Sequence, residues 1–273
     1  MTAPLLQDTG FREATIWATP IRDLGLTIEG TQLEPIVAEF RRELAAVGFR
    51  RLSPRYYLST EWGVPFETVA IAIPFYLAHP ELQEMHAERT GHVEGRDREE
   101  ILRYLRHEMG HVVNYAYRLY DDAEWEALFG SMSEPYEDDY RPVPFSRKHV
   151  RHLPGWYAQK HPDEDWSETF AVFITPGLDW RAEYAARPEA LAKLEYCERT
   201  VAALLDRDPV VVDDELDEDV GELEYSLAQF YRDLAGADAR LGLNLDTMLR
   251  SVFPASATRA GTTPHVAAAE LLR

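Results

Sequence analysis

The stretch His107-Glu108-Met109-Gly110-His111 lies in the middle of a helical pattern and decides how the fold is interpreted. Residues at positions i and i+4 of a helix lie on one face, so the imidazoles of His107 and His111 can bind the same metal ion. Glu108 lies beside them, where it can accept a proton from a metal-bound water. The spacing therefore predicts a metal centre on a helix.

The helix that carries this stretch is defined by its cap and by its apolar pattern. Asp97, with Glu100 three residues later, resembles a capping box and predicts the start of the helix. The spacing of apolar residues predicts that the helix continues to about Tyr120. The predicted buried stripe consists of Ile101, Leu105, Val112, Ala116 and Leu119.

A third metal ligand must come from elsewhere, because hydrolytic zinc sites usually have three protein ligands and one open position. Asn114 and Tyr117 exclude the extended pattern in which a third histidine follows on the same segment. A later helix is predicted to begin after His161-Pro162-Asp163 and to end before residue 175, and it carries Glu164 and Glu168 one turn apart. One carboxylate can bind the metal while the other orients a histidine. The alternative is a solvated acidic helix start.

These two segments resemble the gluzincin group of metallopeptidases, and in particular bacterial zinc-binding metallopeptidases. Members of that family carry Arg-His-Glu-x-Gly-His and Glu-Asp-Trp-[Ala/Ser]-Glu-Thr segments, which correspond here to residues 106–111 and 164–169. The resemblance covers about residues 50–205. Many members also carry an N-terminal, Cys-rich zinc ribbon. This chain has a single cysteine, Cys197, and is expected to lack that module.

The resemblance implies an α+β, zincin-like fold that is mostly helical, with a small β-sheet, with the H-E-x-x-H motif on its active-site helix and with the two motif helices at the base of a cleft. In related gluzincins, including lethal-factor-like and Pro-Pro-endopeptidase-like enzymes, the first Glu of the later helix binds zinc. That position is Glu164, and Glu168 then orients a histidine; the reverse order, with Glu168 as the ligand, stays open. Those relatives also place a tyrosine seven residues before the zinc-binding Glu, which is Tyr157 here. Its hydroxyl either stabilises the oxyanion or only packs in the core.

The resulting hypothesis is a zinc-dependent metallopeptidase, a hydrolase that cleaves peptide bonds through a metal-activated water. His107, His111 and Glu164 would bind Zn²⁺, and Glu108 would be the general base. The substrate would be a peptide or a protein. One alternative is a non-catalytic zinc-binding partner or regulatory module. Another is an interaction protein without a metal, in which the two histidines only form hydrogen bonds on a helix.

The composition of the chain limits the binding partners and the cellular compartment that can be expected. The formal net charge of −20 disfavours binding to nucleic acid or to anionic membranes. The sequence shows no signal peptide and no apolar run long enough to span a bilayer. A single cysteine is typical of a reducing compartment, so a cytoplasmic location is expected. No pattern indicates an oligomeric state.

The remaining pattern predicts the other elements and a domain boundary. Helices are predicted at 33–47, 123–129 and 188–205, strands at 55–58 and 68–73, and a loop at 131–146. An acidic run at 213–219 separates a smaller helical segment whose apolar face contains Leu223, Leu227, Phe230 and Leu234. We therefore expect a metallopeptidase domain over residues 1–208, and a C-terminal helical segment and tail over residues 209–273.

Overall fold

The computed structural model describes residues 13–137 and 140–241 of the chain. The predicted C-terminal tail lies outside the described residues. Within them the protein is mostly helical, with a small two-stranded parallel sheet, as the sequence predicts for an α+β fold. The elements are α1 Glu13–Ala18, α2 Leu33–Val47, β1 Arg55–Ser59, β2 Ala70–Pro74, α3 Pro80–Thr90, α4 Arg98–Tyr117, α5 Ala123–Phe129, α6 Pro162–Ile174, α7 Trp180–Tyr184, α8 Pro188–Leu204 and α9 Leu227–Leu241.

The sheet is short and buried. Strands β1 and β2 run parallel, with Arg55 paired to Ala70, and β2 is buried along its whole length. On the other side of β2, the N–H of Ala72 donates to the carbonyl of Gly63 at 2.8 Å. The segment around Gly63 therefore pairs with β2 at one isolated bridge, on the side away from β1.

Helix α4 is held at its start by the predicted cap. Asp97 Oδ1 accepts the N–H of Glu100 at 3.0 Å, and Glu100 accepts the N–H of Arg96 at 2.9 Å. The predicted end near Tyr120 is wrong, because Arg118 adopts the left-handed conformation and ends the helix at Tyr117. Leu119 is nevertheless buried, in a short 3-10 turn, so the apolar pattern continues past the end of the helix.

Helices α4 and α6 cross at a point where their backbones touch. A Cβ atom at Gly110 would lie 2.6 Å from the Cα atom of Ser167, well inside van der Waals contact. Trp166 of α6 donates its ring N–H to the carbonyl of Gly110 at 2.8 Å. Glycine at this position therefore lets the two helices approach closely enough for their polar side chains to meet.

The core lies around α4 and extends to α2, α6 and α8. Buried apolar side chains from these helices pack together, and Trp166 and Phe170 of α6 are fully buried. Helix α2 is also tied to α4 by a two-point ion pair, in which Arg106 donates to Glu43 at 2.9 and 2.7 Å. This ion pair fixes α4 against α2 directly before the H-E-x-x-H residues.

Residues 209–241 follow the body of the protein and contact it repeatedly. The N–H of Val210 donates to Ala116 O at 2.7 Å, and the N–H of Val220 donates to Leu58 O at 3.0 Å. Leu223 is buried but precedes α9, so the predicted helical face begins only at Leu227. The domain boundary after residue 208 stays a prediction. No helix in the described part of the chain is long and apolar enough to cross a membrane.

Candidate metal centre

Two helices bring the polar side chains of the site together. Helix α4 carries His107, Glu108 and His111, all of which are buried. Helix α6 starts at Pro162, and the side chain of His161 caps it by accepting the N–H of Asp163 at 3.2 Å. Its first turn is acidic, as is favourable at the positive end of a helix dipole.

The ring nitrogens of the two histidines and one carboxylate oxygen converge on a single point. The Nε2 atoms of His107 and His111 lie 3.2 Å apart. Oε2 of Glu164 lies 2.9 Å from the first and 3.4 Å from the second. Ligand atoms around a tetrahedral Zn²⁺ are separated by about 3.3 Å, given bonds of about 2.0–2.1 Å. The spacing of these three atoms therefore fits zinc.

Each imidazole is oriented by a carboxylate on its other nitrogen. Nδ1 of His107 lies 3.0 Å from Oε1 of Glu168, and Nδ1 of His111 lies 2.8 Å from Oδ2 of Asp163. With the Nδ1 hydrogens donated to these carboxylates, both Nε2 atoms present lone pairs to the point of convergence. The arrangement is that of metal-binding histidines.

The oxygens of Glu168 point away from the point of convergence. Besides Nδ1 of His107, they accept the backbone N–H of His152 at 2.9 Å and that of Leu153 at 3.0 and 2.9 Å. Glu164 and Glu168, one turn apart on α6, therefore occupy different positions around His107. Glu164 lies at Nε2 and Glu168 lies behind the ring at Nδ1.

The buried carboxylates around His107 and His111 favour positive charge on their neighbours. Burial opposes the charged form of His107, but the adjacent carboxylates of Glu164 and Glu168 outweigh that effect and raise its pKa to about 9. Burial likewise opposes ionisation of Glu164, yet His111 and His107 hold its pKa well below the usual value. Protons on the imidazoles or a divalent cation can supply the charge that these carboxylates require.

One buried oxygen, Oε2 of Glu164, is evidence for a bound cation in particular. Oε2 of Glu164 is inaccessible to solvent, and among the described residues no donor forms a hydrogen bond with it. A buried carboxylate oxygen without a partner is costly unless a cation or a donor satisfies it. Two imidazole nitrogens and one carboxylate oxygen are also a donor set typical of catalytic zinc. The residues present therefore fit Zn²⁺.

Glu108 lines the same pocket as the three converging side chains. The pocket has a volume of about 220 Å³ and is open to solvent. Burial raises the pKa of Glu108 to about 7, against the opposing effect of His107 and His111. A carboxyl group with a pKa near neutrality can both accept and release a proton.

Two tyrosine hydroxyls lie beside Glu164 in this pocket. Tyr136 donates to Oε1 of Glu164, and the hydroxyl oxygens of Tyr136 and Tyr157 lie 3.4 Å apart. Burial raises the pKa of Tyr157, so its hydroxyl keeps its proton at neutral pH. The turn that carries Tyr157 contains Gly155 and Trp156 in left-handed conformations, with φ of 81° and 56°.

Sequence reasoning missed Asp163 and Tyr136. Asp163 accepts hydrogen bonds from Asn114 at 2.6 Å and from Tyr115, in addition to its bond with His111. A polar Asn114 three residues after a histidine, inside a buried helix, was the signal that could have indicated a shared acceptor. Tyr136 lies on the predicted loop, where the sequence carries no regular pattern.

Comparison with known proteins supports a zinc-binding site. A family model described as "Putative zinc-binding metallo-peptidase" matches residues 77–236, which include both motif helices. Searches of curated proteins and of solved structures gave no significant match. The resemblance predicted from the two motifs is thereby confirmed. Because the match covers more than half of the 273 residues, the chain belongs to this zinc-binding metallo-peptidase family.

Proposed function

We propose that the protein is a zinc-dependent metallopeptidase with a zincin-like fold, in which residues 1–208 form the catalytic domain. The observation that carries the proposal is the convergence of two Nε2 atoms and Oε2 of Glu164 within 3.4 Å of one another, beside the carboxylate of Glu108. Membership of a metallopeptidase family supports it independently. The substrate would be a peptide or a protein.

In this proposal His107, His111 and Glu164 bind the metal. Glu168 and Asp163 hold the two imidazole rings in the orientation that binding requires, through the Nδ1 contacts at 3.0 and 2.8 Å. A Zn²⁺ ion bound there would supply Lewis acidity to a water molecule and to a peptide carbonyl. The pocket, rather than the exposed surface, would therefore be the place of reaction.

Glu108 is the proposed general base. Its carboxylate lies next to both histidines along α4 and opens into the same pocket. From there it would accept the proton of the attacking water and deliver it to the nitrogen of the leaving amine. A zinc site that is only structural needs no such base, so the presence of Glu108 favours the enzyme over the non-catalytic zinc-binding module.

Tyr157 is the proposed hydrogen-bond donor to the oxyanion. Its protonated hydroxyl lines the pocket, and its ring lies 5.6 Å from that of His107. Donors that are already oriented toward a developing negative charge lower the barrier of acyl transfer. Tyr136 lies at the same place and donates to Glu164, so it is the second candidate for this role.

The experiment that tests the proposal compares turnover with zinc content. Glu108→Gln should lose hydrolysis of a peptide library by a factor of about 10² or more, because no group remains to accept the proton, and it should keep its zinc. The matched control is Glu126→Gln, an exposed acidic residue on α5, which should keep both properties. Full hydrolysis by Glu108→Gln would refute the role of Glu108. An inactive wild-type protein that still holds stoichiometric zinc would favour the non-catalytic module.

A further inference from the structure

Several large apolar side chains are exposed on segments of the chain that also contribute residues to the pocket. Among the described residues the exposed large hydrophobic side chains are Phe66, Tyr136, Val143, Phe145, Val210 and Val212. The first four belong to the two segments that contribute the aromatic lining of the pocket, around residues 62–66 and 136–157. Phe66 and Phe145 do not line the pocket themselves, but each packs on an aromatic residue that lines it or directly precedes one that does. Exposed apolar side chains beside a pocket are typical of a binding site.

Phe66 is held in its exposed position by its neighbours. Its ring is 61% exposed and packs edge-on against Tyr115 at 5.1 Å, and Tyr115 lines the pocket. The next residue, Glu67, has a φ of 56° and is fixed by Arg118 and by the hydroxyl of Tyr120 at 2.7 Å. The backbone that presents Phe66 is therefore strained and fixed by side-chain bonds.

Phe145 is presented in a comparable way on the other segment. Its ring is 70% exposed, its own φ is 62°, and it packs edge-on against Trp156 at 5.8 Å. Trp156, which precedes Tyr157 of the pocket, also has a positive φ, of 56°. The loop is fixed to the turn below it, since the amide of Gln159 bonds to the backbone of Val143 at 2.8 and 3.1 Å.

Strained backbone persists only where surrounding contacts impose it, and it is commonly found at binding sites. Four of the five non-glycine residues with positive φ in the described chain belong to these two arrangements: Glu67, Arg118, Phe145 and Trp156. Arg118 also ends α4, and the other three are Phe145 itself, its ring partner Trp156 and the residue after Phe66. Two separate segments thus combine a positive φ with an exposed phenylalanine.

The lining of the pocket indicates the chemistry of the partner. Besides the histidines and carboxylates of the metal centre, its walls include Trp62, Tyr115, Tyr136 and Tyr157, and among the described residues no lysine or arginine lines it. Such walls do not select acidic side chains but offer aromatic surface to apolar ones. We propose that Phe66 and Phe145 bind large apolar side chains of a polypeptide substrate next to the scissile bond. This inference rests on the proposed function and names its substrate class.

The test is a binding assay that does not depend on turnover. Zinc-loaded Glu108→Gln protein is titrated into two fluorescent peptides of equal length and charge, one with Leu and Phe at its central positions and one with Ser and Gln there. The apolar peptide should bind at least about tenfold more tightly, since this corresponds to the burial of roughly one apolar side chain. Phe66→Ser and Phe145→Asn, each added to Glu108→Gln, should each weaken binding of the apolar peptide about threefold to tenfold and leave the polar peptide unchanged.

The controls separate binding from folding and from self-association. Phe66→Leu should keep the preference, and Asn at position 145 tolerates the left-handed backbone, so both proteins should fold. Val212→Ser should change nothing, because Val212 is 70% exposed on a segment that does not line the pocket. Equal binding of the two peptides overturns the inference. A Phe66→Ser protein with a different oligomeric mass in solution also overturns it, because Phe66 would then belong to an interface between copies of the chain. If the preference is found but wild-type protein hydrolyses no peptide, the inference stands and the proposed peptidase fails.

Discussion

The two histidines differ in the carboxylate that supports each of them. His107 is supported by Glu168, which also accepts two backbone N–H groups from residues 152 and 153. His111 is supported by Asp163, which also accepts from Asn114 and Tyr115. Both supports come from α6, the helix that supplies the third proposed ligand. The position of one helix therefore controls the orientation of the whole set.

Removal of either support should weaken zinc binding without abolishing it. Asp163→Ala leaves Nδ1 of His111 without its acceptor, so the ring is no longer held and zinc affinity should fall about 10–100-fold. Competition with a fluorescent chelator measures the affinity. Asp179→Ala, which removes only a helix cap remote from the pocket, is the control and should keep wild-type affinity. Unchanged zinc affinity of Asp163→Ala would contradict the supporting role.

At the scale of residues, the sequence predicted those site residues that are one turn apart on the same helix. The i, i+4 spacing of His107 and His111 was available from the pattern, whereas the pattern offered both Glu164 and Glu168 and only the family resemblance favoured Glu164. Asp163 was not, because an acidic residue in the first turn of a helix is ordinary and its bonds to α4 depend on tertiary packing. Contacts between residues of different helices follow no fixed spacing in the sequence, so a sequence pattern does not reveal them.

At the scale of elements, the crossing of α4 and α6 determines whether the site forms. Gly110 of the H-E-x-x-H stretch does not bind the metal, but its Cα hydrogen atom faces the backbone of α6 at Ser167. Any side chain there separates the helices. The histidines would then move away from Glu164, Glu168 and Asp163 together.

Gly110→Ala should therefore destabilise the fold and weaken the metal site. A Cβ atom would meet Ser167 Cα at 2.6 Å, and overpacking of this kind costs about 1–3 kcal/mol of unfolding free energy. Urea unfolding measures the loss. Gly236→Ala in α9 is the matched control, because nothing lies within 4 Å of its Cβ position and alanine favours a helix interior by about 0.5–1 kcal/mol. A Gly110→Ala protein as stable as wild type would show that the helices do not touch there.

Element boundaries were predictable where a cap marks them. Helix α2 spans Leu33–Val47 as predicted, because Gly48 adopts a left-handed conformation at its end. Helix α3 was not predicted, since only three of its residues, Leu82, Met85 and His86, are buried and the rest of its pattern is polar. The end of α4 was placed too late because Leu119 continues the apolar spacing in a turn that is not helical.

At the scale of the whole molecule, the chain after residue 208 packs onto the body of the protein through α9. Tyr231 of α9 contacts α3, where its hydroxyl lies 3.2 Å from Nδ1 of His86. The His86 ring stacks on Tyr76 at 3.6 Å. Burial, together with the nearby His92, lowers the pKa of His86 to about 4. A neutral histidine is therefore part of this contact.

The stability of the protein should fall in acid partly because of His86. Its unfolded-state pKa of about 6.5 lies above the folded-state pKa of about 4, so the unfolded chain takes up the proton first. The contribution is fully present above about pH 6.5 and is lost as the pH falls toward about 4. His86→Phe keeps a ring on Tyr76 and should lose less stability between about pH 7.5 and about pH 5 in urea unfolding. An equal loss in both proteins would exclude this role.

The sequence predicted the order of the main helices and strands but not how the C-terminal part packs. The acidic run at 213–219 suggested a boundary, whereas in the structure its backbone contacts the sheet, since the N–H of Val69 donates to Asp213 O at 2.7 Å. Backbone hydrogen bonds of this kind do not depend on side-chain pattern. Charge alone therefore described the surface of this segment and not its contacts.

The central claim is that His107, His111 and Glu164 together bind one zinc ion. Its most direct test is the zinc content of protein purified without an affinity tag, measured by elemental mass spectrometry for wild type, Glu164→Gln and Glu195→Gln. Wild type and the exposed control on α8 should each hold one zinc per chain, and Glu164→Gln should hold only a small fraction of that, because its Oε2 is one of three converging ligand atoms. A metal-free wild-type protein, or equal zinc in Glu164→Gln, would contradict the account.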